Sequence, residues 1–437
     1  MLKKLYNKND MKYIDLFAGA GGLSEGFIRA GFDAVAHIEM NPDAVNTLKT
    51  RLAYWHLKKC NKLDTYYSYL RGETTRDDFY AKIPENILAS VLNYTMNKDN
   101  LNNIFKVIDG HLRVQEDQHI NLIVGGPPCQ GYSLAGRARQ QRLEEEAYKK
   151  NGVTTIDHRK YLYLLYCDFL KHYKPDMFVF ENVPGLITAD NGKHWEDIQS
   201  MLQNAGYAIK HKELNAKDFC VPQSRKRIII IGWKKGSDYS YPEFESTEAD
   251  WTIADILDDL PVIQAGEEKN KYRKMKYSEY VGKYLRTKND VLTWHVARPH
   301  CERDRKIYKK VIQKWIDKNC RLRYQDLPDN LKTHKNTDCF ADRFKVVAPD
   351  IPHCHTMLAH IAKDGHYFIH PDIDQVRSLT VREAARIQSF PDNYYFEGSR
   401  TSVFTQIGNA VPPLMAEKIA KALKKQLQKN YEKGGKS

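Results

Sequence analysis

The 437-residue sequence contains few cysteines, and none of them are arranged as a metal or redox motif. Its eight cysteines are scattered, and no pair has the Cys-x-x-Cys spacing of structural zinc sites. We therefore expect reduced thiols and no resident metal. A zinc site could be assembled only from residues that lack this spacing: Cys339, His353, Cys354 and His355.

Long apolar runs are also absent. A membrane-spanning helix needs about 20 mostly apolar residues, and no stretch approaches that length. Residues 1–10 are lysine-rich and polar, and no apolar stretch that would indicate a secretory signal follows them. We therefore expect a cytoplasmic protein without a membrane partner. Apolar residues make up 42% of the chain and charged residues 28%, which excludes a largely disordered protein.

Positive charge is abundant but confined to one part of the chain. The formal net charge is +13, and residues 266–345 contain 22 lysines and arginines against 11 acidic residues. The remaining 357 residues therefore carry a net charge of only +2. A local basic patch attracts polyanions, so a nucleic acid is the expected partner, although a solvated lysine-rich surface would have the same composition.

Short apolar strands alternate with helical patterns in the first half of the chain. Strands are predicted at 13–17, 34–39, 122–124, 177–180 and 228–231, and helices at 23–30, from 42, and at 161–172. This alternation is typical of a doubly wound α/β sheet, in which ligands bind beyond the carboxyl ends of the strands. Four residues of chemical interest lie at the ends of predicted strands: Gly19, Glu39, Cys129 and Glu181. We expect them to meet in one crevice.

The rest of the chain is less regular. Residues 50–118 are polar and tyrosine-rich, and they predict a mostly helical insertion with a third strand near 90–93. Residues 133–157 are expected to form a long loop. Residues 237–375 break the alternation and carry most of the basic patch, which indicates a second domain. Helices are predicted again at 380–388 and 412–431.

The glycine turn after the first strand would allow a helix N-terminus to approach a cofactor. Its sequence is not the dinucleotide fingerprint, because the third glycine of Gly-x-Gly-x-x-Gly would fall at Ser24. A nucleoside cofactor fits this turn better. Glu39 could then accept hydrogen bonds from the ribose hydroxyls. A merely structural turn is the alternative.

Cys129 and Glu181 are candidate reactive groups. The rigid Pro127-Pro128 pair fixes the backbone before Cys129. A cysteine in such a turn is either a nucleophile or a buried side chain that only fills space in the core. Glu181 ends a buried strand, where a poorly solvated carboxylate could have a raised pKa and act as an acid. A helix cap or an ion pair is the alternative for Glu181.

Gln223, Arg225 and Arg227 precede or begin another buried strand. Alternate residues of a strand face the same way, so these three side chains could point into one site. A solvated strand edge would give the same pattern.

Six blocks, taken in order, resemble the DNA (cytosine-5)-methyltransferases of bacterial restriction-modification systems. The blocks are 15–22 (DLFAGAGG), 126–133 (GPPCQGYS), 181–186 (ENVPGL), 223–227 (QSRKR), 382–391 (REAARIQSFP) and 406–413 (QIGNAVPP). Each block is weak alone, but together they are very specific. The chain departs from the family at two places: no Asp-Ile pair follows the third strand, and Cys220 stands where glycine is common.

The resemblance implies an α/β fold, with a Rossmann-like S-adenosyl-L-methionine-dependent methyltransferase domain and a smaller, basic target-recognition domain. Residues 1–236, completed by 395–437, would form the catalytic domain. Residues 237–394 would form the recognition domain and its connection back. The implied partners are double-stranded DNA and a cognate restriction endonuclease that acts separately, with a monomer on DNA. Within the recognition domain, residues 331–342 and the helix near 303–318 are candidate DNA-reading elements.

The resemblance also implies a mechanism. The target cytosine would be flipped out of the duplex, and Cys129 would add to carbon 6 of its ring. Glu181 would hydrogen-bond ring nitrogen 3, and Arg227 would bind the carbonyl oxygen with support from Gln223 and Arg225. Carbon 5 would take the methyl group, leaving S-adenosyl-L-homocysteine. The implied cofactor contacts are Phe17, Ala18, Gly19, Gly21, Leu23, Glu39, Met40, Pro127, Leu162, Asn409, Ala410 and Val411. The loop carrying Arg137, Arg139 and Arg142 would close over the DNA.

Three other functions share parts of this pattern. Cytosine-5 methyltransferases of transfer RNA resemble Pro-Pro-Cys-Gln-Pro-Phe-Thr at the nucleophile, where this chain has Gly131-Tyr132-Ser133, and they have little recognition domain. A catalytically silent DNA-binding regulator should lack Cys129, Glu181 or the glycine turn. A nicotinamide-dependent dehydrogenase would need the missing third glycine and would bind NAD.

Overall fold

A computed structural model describes residues 11–113, 118–128, 162–273, 276–334, 337–338 and 340–434. One seven-stranded sheet lies at its centre. The strands are β1 (Lys12–Leu16), β2 (Asp33–Glu39), β3 (Val91–Asn93), β4 (Leu122–Gly125), β5 (Met177–Asn182), β6 (Tyr207–Asn215) and β7 (Lys226–Lys234). The five strands predicted from apolar runs are all present, and the uncertain third strand is β3.

The strand order is β3-β2-β1-β4-β5-β7-β6. Strands β1 to β5 are parallel, whereas β7 runs antiparallel to both β5 and β6. Strands β2 and β3 are added on one side of β1, and strands β5, β7 and β6 are added on the far side of β4. A crevice therefore opens between the carboxyl ends of β1 and β4, where such sheets bind ligands.

Helices surround this sheet. They are α1 (Gly22–Arg29), α2 (Pro42–Lys59), α3 (Leu63–Leu70), α4 (Arg76–Tyr80), α5 (Glu85–Ala89), α6 (Lys98–Arg113), α7 (Leu162–Tyr173), α8 (Gly185–Thr188), α9 (Lys193–Asn204), α10 (Ile253–Leu257), α11 (Glu302–Lys318), α12 (Val381–Ile387), α13 (Arg400–Asn409) and α14 (Pro413–Gly434). The start of α2 follows from its sequence, because Pro42 fits the first helical turn and Asn41 accepts hydrogen bonds from the N–H groups of Asp43 and Ala44.

Apolar residues alternate between the two faces of each strand, so helices cover both faces. In β4, Leu122 and Val124 pack in one core with α1, α13 and α14, while Ile123 packs in a second core with α6, α7 and α9. Helices α1 and α14 are in close contact, since a Cβ at Gly26 would lie 2.3 Å from the backbone nitrogen of Glu417. This contact brings the end of the chain back onto its beginning.

The predicted helical insertion is confirmed. Helices α3, α4 and α5 pack on α2 through a cluster rich in tyrosine, including Tyr54, Tyr66 and Phe79. The insertion is also tied to the later chain, because the hydroxyl of Tyr66 donates to the carbonyl oxygen of Asn393 over 2.8 Å. The hydroxyl of Tyr69 donates to Glu397 at the same distance.

The predicted helix at 380–388 is α12, and its arginines lie in the interior rather than at the surface. Thr380 caps the helix in a capping box with Glu383, which also accepts two hydrogen bonds from Arg377. Arg386 is fully buried between Asp259 and Asp392. Buried charges need such partners. The ion pairs of this segment therefore connect it to other parts of the interior.

A separate hydrophobic core lies within the range predicted for the second domain. The separate core extends from Ile307 to Val376 and includes one face of α11. Residues such as Trp251, Ile256 and Leu285 belong instead to the main core, although they lie in the predicted range 237–394. We propose on this basis that the recognition unit comprises about residues 300–376, inserted into a larger catalytic domain.

Within the described residues, no helix is both long enough and apolar enough to span a membrane.

Candidate active site

The glycine turn between β1 and α1 meets the end of β2. The N–H of Gly19 donates to Oε2 of Glu39 over 2.8 Å, and the N–H of Asn41 donates to Oε1 over 2.7 Å. Gly19 and Gly21 both have positive φ, of 55° and 76°, which favours glycine at these two positions. The predicted convergence of Gly19 and Glu39 is therefore found, and the two carboxylate oxygens are held in one orientation.

The turn is open on one side and closed on the other. Among the described residues, a Cβ added to Gly19 would meet no heavy atom within 4 Å, whereas one at Gly22 would lie 2.2 Å from the carbonyl oxygen of Val411. Met40 beside Glu39 is 62% exposed, which is unusual for a large apolar side chain. An open backbone turn next to a carboxylate and an exposed apolar side chain fits an adenosine-like ligand.

The other predicted cofactor contacts fall into two groups. Ala18 and Pro127 line the strand ends and are buried, while Phe17 takes the left-handed conformation with a φ of 58°. Such a conformation is strained for a non-glycine residue and often accompanies a functional site. Leu23 differs, because its side chain is buried in the main core.

The segment before α14, at residues 409–411, reaches the glycine turn. Ala410 and Val411 pack against Gly22, and Asn409 beside them is exposed. Leu162, at the start of α7, is half-buried.

Asn93 was not singled out from the sequence. It lies at the end of β3, and its side-chain amide donates to the carbonyl oxygens of Glu39 and Met40, each over 3.0 Å. It fixes the backbone that carries two predicted cofactor contacts. The signal for it was a polar residue ending a short apolar strand.

Asp15, inside the first family block, is a second residue that sequence reasoning left without a role. It is buried at the end of β1 and accepts a 2.5 Å hydrogen bond from the hydroxyl of Ser24. Burial is the main cause that raises the pKa of this carboxyl to about 7; the nearby charge of Glu39 contributes to the rise, and the Ser24 hydrogen bond opposes it.

The ends of β4 and β5 are joined closely. The side-chain amide of Asn182 donates to the carbonyl oxygen of Pro127 over 3.2 Å, and its Oδ1 accepts from the N–H of Val183. A Cβ at Gly126 would lie 2.7 Å from Oε2 of Glu181, so a side chain at this position would displace the Glu181 carboxylate. The backbone that leads to Cys129 is thus held against Glu181. Cys129 itself lies outside the described residues, as do Arg137, Arg139 and Arg142.

Glu181 is paired with Arg227. Nε of Arg227 lies 2.8 Å from Oε1 of Glu181, and the two side chains are only 11% and 12% exposed. The pair connects the neighbouring antiparallel strands β5 and β7. Each residue is adjacent in sequence to a residue of the opposed pair Asn182 and Ile228. Of the alternatives for Glu181, the ion pair is therefore present. The arrangement is a largely desolvated carboxylate and guanidinium beside the end of β4.

Gln223 and Arg225 do not share a pocket with Arg227, and this expectation is revised. Arg225 is buried and donates to the carbonyl oxygens of Met357 and Gly408 over 2.5 and 3.0 Å. The amide of Gln223 contacts Gln388 and accepts from the N–H of Met357. The reason is that β7 begins only at Lys226, so strand alternation does not extend to the earlier residues. These two side chains join the strand to the returning chain.

Cys220, where the family commonly has glycine, adopts a φ of 60°. The turn is thus kept in the conformation that favours glycine, at some cost in strain. In the part of the chain described here, no group of three or more histidine, cysteine, aspartate or glutamate residues could hold a metal ion.

A family model described as C-5 cytosine-specific DNA methylase matches residues 11–69 and 86–425. The chain belongs to this family. It is a DNA (cytosine-5)-methyltransferase, and the family predicted from the six blocks is confirmed. Residues 70–85, which the family model leaves unmatched, lie in the helical insertion that contains α4.

Relatives cover nearly the whole methyltransferase. The type II methyltransferase M.Bpa9945I of Bacillus paralicheniformis is 42% identical over 452 residues, which cover 95% of this chain and 98% of the relative. The type II methyltransferase M1.HphI of Haemophilus parahaemolyticus is 31% identical over 418 residues, which cover 95% and 87%.

A solved structure described as a putative DNA modification methyltransferase encoded within an E. coli prophage aligns with a TM-score of 0.61 at 24% identity. The alignment covers 96% of this chain and all of the other. At this identity the likeness concerns the fold, and it confirms the predicted Rossmann-like α/β class.

Proposed function

We propose that this enzyme transfers a methyl group from S-adenosyl-L-methionine to carbon 5 of a flipped-out cytosine in duplex DNA, through a covalent adduct of Cys129. One observation carries the proposal. The glycine turn with Glu39 and the Glu181–Arg227 pair lie at the carboxyl ends of neighbouring strands, on either side of the segment that leads to Cys129. A cofactor site and a base site would thus face each other across one crevice.

The residues around the glycine turn fit the proposed cofactor. Glu39 already accepts two backbone N–H groups, and each carboxylate oxygen keeps a lone pair for a ribose hydroxyl. The open space at Gly19 and the exposed side chain of Met40 would border the nucleoside, and Asn409 would close the far side. When bound, this cofactor supplies an electrophilic methyl group.

The Glu181–Arg227 pair suits recognition of a cytosine edge. The guanidinium has five N–H donors, and its contact with Glu181 leaves others for the cytosine carbonyl oxygen. Glu181 would hydrogen-bond ring nitrogen 3. Flipping the base costs a few kcal/mol, which these contacts in a dry pocket would offset.

In the proposed reaction, the Cys129 thiolate forms a bond to carbon 6 while Glu181 supports protonation at nitrogen 3. Carbon 5 becomes nucleophilic and accepts the methyl group. Carbon 5 then gives up its proton to solvent, the bond to Cys129 breaks with release of the thiolate, and the proton on nitrogen 3 returns to Glu181, which restores the aromatic ring. Support for the position of Cys129 comes from the Pro127 carbonyl held by Asn182 and from the block match.

The recognition unit would provide the DNA contacts. Helix α11 buries Ile307 and Val311 in the separate core, while Lys309 and Lys310 are exposed on its other face. Such a face suits phosphate contacts. Because relatives are type II methyltransferases, we also propose that the enzyme acts as a monomer on one short DNA sequence in the prokaryotic cytoplasm, beside a separate restriction endonuclease.

The direct test is transfer of a labelled methyl group from S-adenosyl-L-methionine to unmethylated duplex DNA, followed by bisulfite sequencing. We expect 5-methylcytosine within one short recurring sequence. Label in transfer RNA but not in DNA would favour the RNA methyltransferase alternative. Absence of label with DNA still bound would contradict the proposal and indicate a silent DNA-binding protein.

A further inference from the structure

A second cavity lies away from the candidate active site. It encloses about 740 Å³ and is lined by the end of α1, the end of α2, the first half of α14 and residues 282–287. None of the predicted catalytic and cofactor residues that the structure describes lines it. Ile28, one lining residue, is six residues beyond Gly22, which separates it from the glycine turn by roughly 9 Å along the helix axis.

The lining is strongly basic. It contains seven lysine and arginine side chains and one carboxylate, Glu417. Some of these cations are neutralised locally: Arg29 and Arg51 bind the buried Glu25, and Lys421 lies 2.6 Å from Glu417. Arg286 is paired with Asp259 behind the wall.

Three lysines remain after this pairing. Within the described residues, Lys58, Lys283 and Lys418 have no carboxylate partner, and the ammonium of Lys418 contacts the hydroxyl of Thr247. Like charges in a concave site repel one another and attract an anion. A bound anion would relieve that repulsion.

Aromatic rings stand next to the unpaired lysines. Nζ of Lys58 lies 4.8 Å from the ring centre of Trp55, and Nζ of Lys283 lies 5.1 Å from that of Tyr284. The indole N–H of Trp55 donates to Glu25 over 3.0 Å, which fixes the ring. Cations beside aromatic surfaces suit a ligand that has both phosphate and a planar base, and the cavity volume is typical of small-molecule sites.

We propose that this cavity binds a nucleoside phosphate, with the phosphate at Lys58, Lys283 and Lys418 and the base against Trp55 and Tyr284. A free nucleotide and a nucleotide at the end of a nucleic-acid strand offer the same chemistry. The site is distinct from the crevice that holds the glycine turn, so it does not depend on the function proposed above.

The test is calorimetric titration of the full chain with ADP, inorganic pyrophosphate and an oligothymidylate of about 10 nucleotides. Saturating S-adenosyl-L-homocysteine would occupy the proposed cofactor site throughout. We expect saturable ADP binding that weakens roughly tenfold or more in Lys58→Glu and in Lys283→Glu, because each loses a charged hydrogen bond to phosphate. Lys59→Glu is the matched control, since Lys59 lies on the same helix but outside the cavity and pairs with Asp33.

Each outcome bears on the proposal. Binding of ADP but not of the oligonucleotide identifies a free nucleotide, and the reverse identifies a strand. Pyrophosphate binding as tight as ADP binding would contradict the roles of Trp55 and Tyr284. No saturable binding, loss of binding with S-adenosyl-L-homocysteine, or equal weakening in Lys59→Glu would overturn it. Retained methyl transfer in Lys58→Glu would show that any loss is not unfolding.

Discussion

Asp15 makes folding stability depend on pH in a way that can be measured. Its carboxyl is buried at the end of β1 beneath the glycine turn, and its pKa is raised from 3.8 to about 7. Between these two values the folded protein holds a proton that the unfolded chain has released. Stability therefore falls as pH rises through this window and becomes level above pH 7.

The size of the effect follows from the shift. One pKa unit corresponds to about 1.4 kcal/mol, so ionising Asp15 in the folded protein costs about 4 kcal/mol in total. Part of that cost is already present at pH 5, where the unfolded carboxyl is mostly ionised. The additional loss between pH 5 and pH 8 is about 3 kcal/mol. In Asp15→Asn the amide oxygen can still accept the Ser24 hydrogen bond, and nothing ionises.

The assay is urea denaturation of both proteins at pH 5 and pH 8 without cofactor. We expect the stability of Asp15→Asn relative to the parent to increase by about 3 kcal/mol between the two pH values. Ser24→Ala tests the cause, because it removes the hydrogen bond that lowers this pKa and should move the window to higher pH. Parallel stability curves for the parent and Asp15→Asn would refute the buried, protonated carboxyl.

Three other changes test the site and the DNA face. Cys129→Ala should abolish methyl transfer and keep DNA binding in a filter assay; an active variant would rule out the covalent adduct. Glu39→Ala should raise the cofactor dissociation constant severalfold by calorimetry, and an unchanged constant would contradict the ribose contact. Lys309→Glu with Lys310→Glu should weaken DNA binding and reduce the slope of log K against log salt by about 2, since each phosphate contact contributes about 0.9; an unchanged slope would place the DNA elsewhere.

Buried strands were the most predictable part of the fold. The runs that became β5 and β7 are covered on both faces, so nearly every residue is apolar and the pattern is unambiguous. Strand β6 was not predicted because it is an edge strand. Only Tyr207 in it is buried, and its other residues show no clear alternation between buried and exposed positions.

The site was predictable where it depended on strand ends, and not where it depended on distant contacts. Gly19 and Glu39 lie at the carboxyl ends of adjacent strands, so topology alone brings them together. Arg225 lies two residues before Arg227, yet its partners Met357 and Gly408 are more than 100 residues away. No local pattern in the sequence distinguishes a buried arginine that binds backbone oxygens from one that faces a substrate.

Distant contacts also separate the predicted domain boundaries from the limits of the hydrophobic cores. Charged residues near 259–290 and 377–392 suggest surface, but they form one buried network. Asp259 binds Arg286 and Arg386, and Arg386 also binds Asp392. The network ties the chain entering the recognition unit to the chain leaving it. Removing one partner would leave a buried charge uncompensated, which typically costs about 3–5 kcal/mol. The block around Arg386 is therefore held in the interior by ion pairs, which gives Arg386 a structural role.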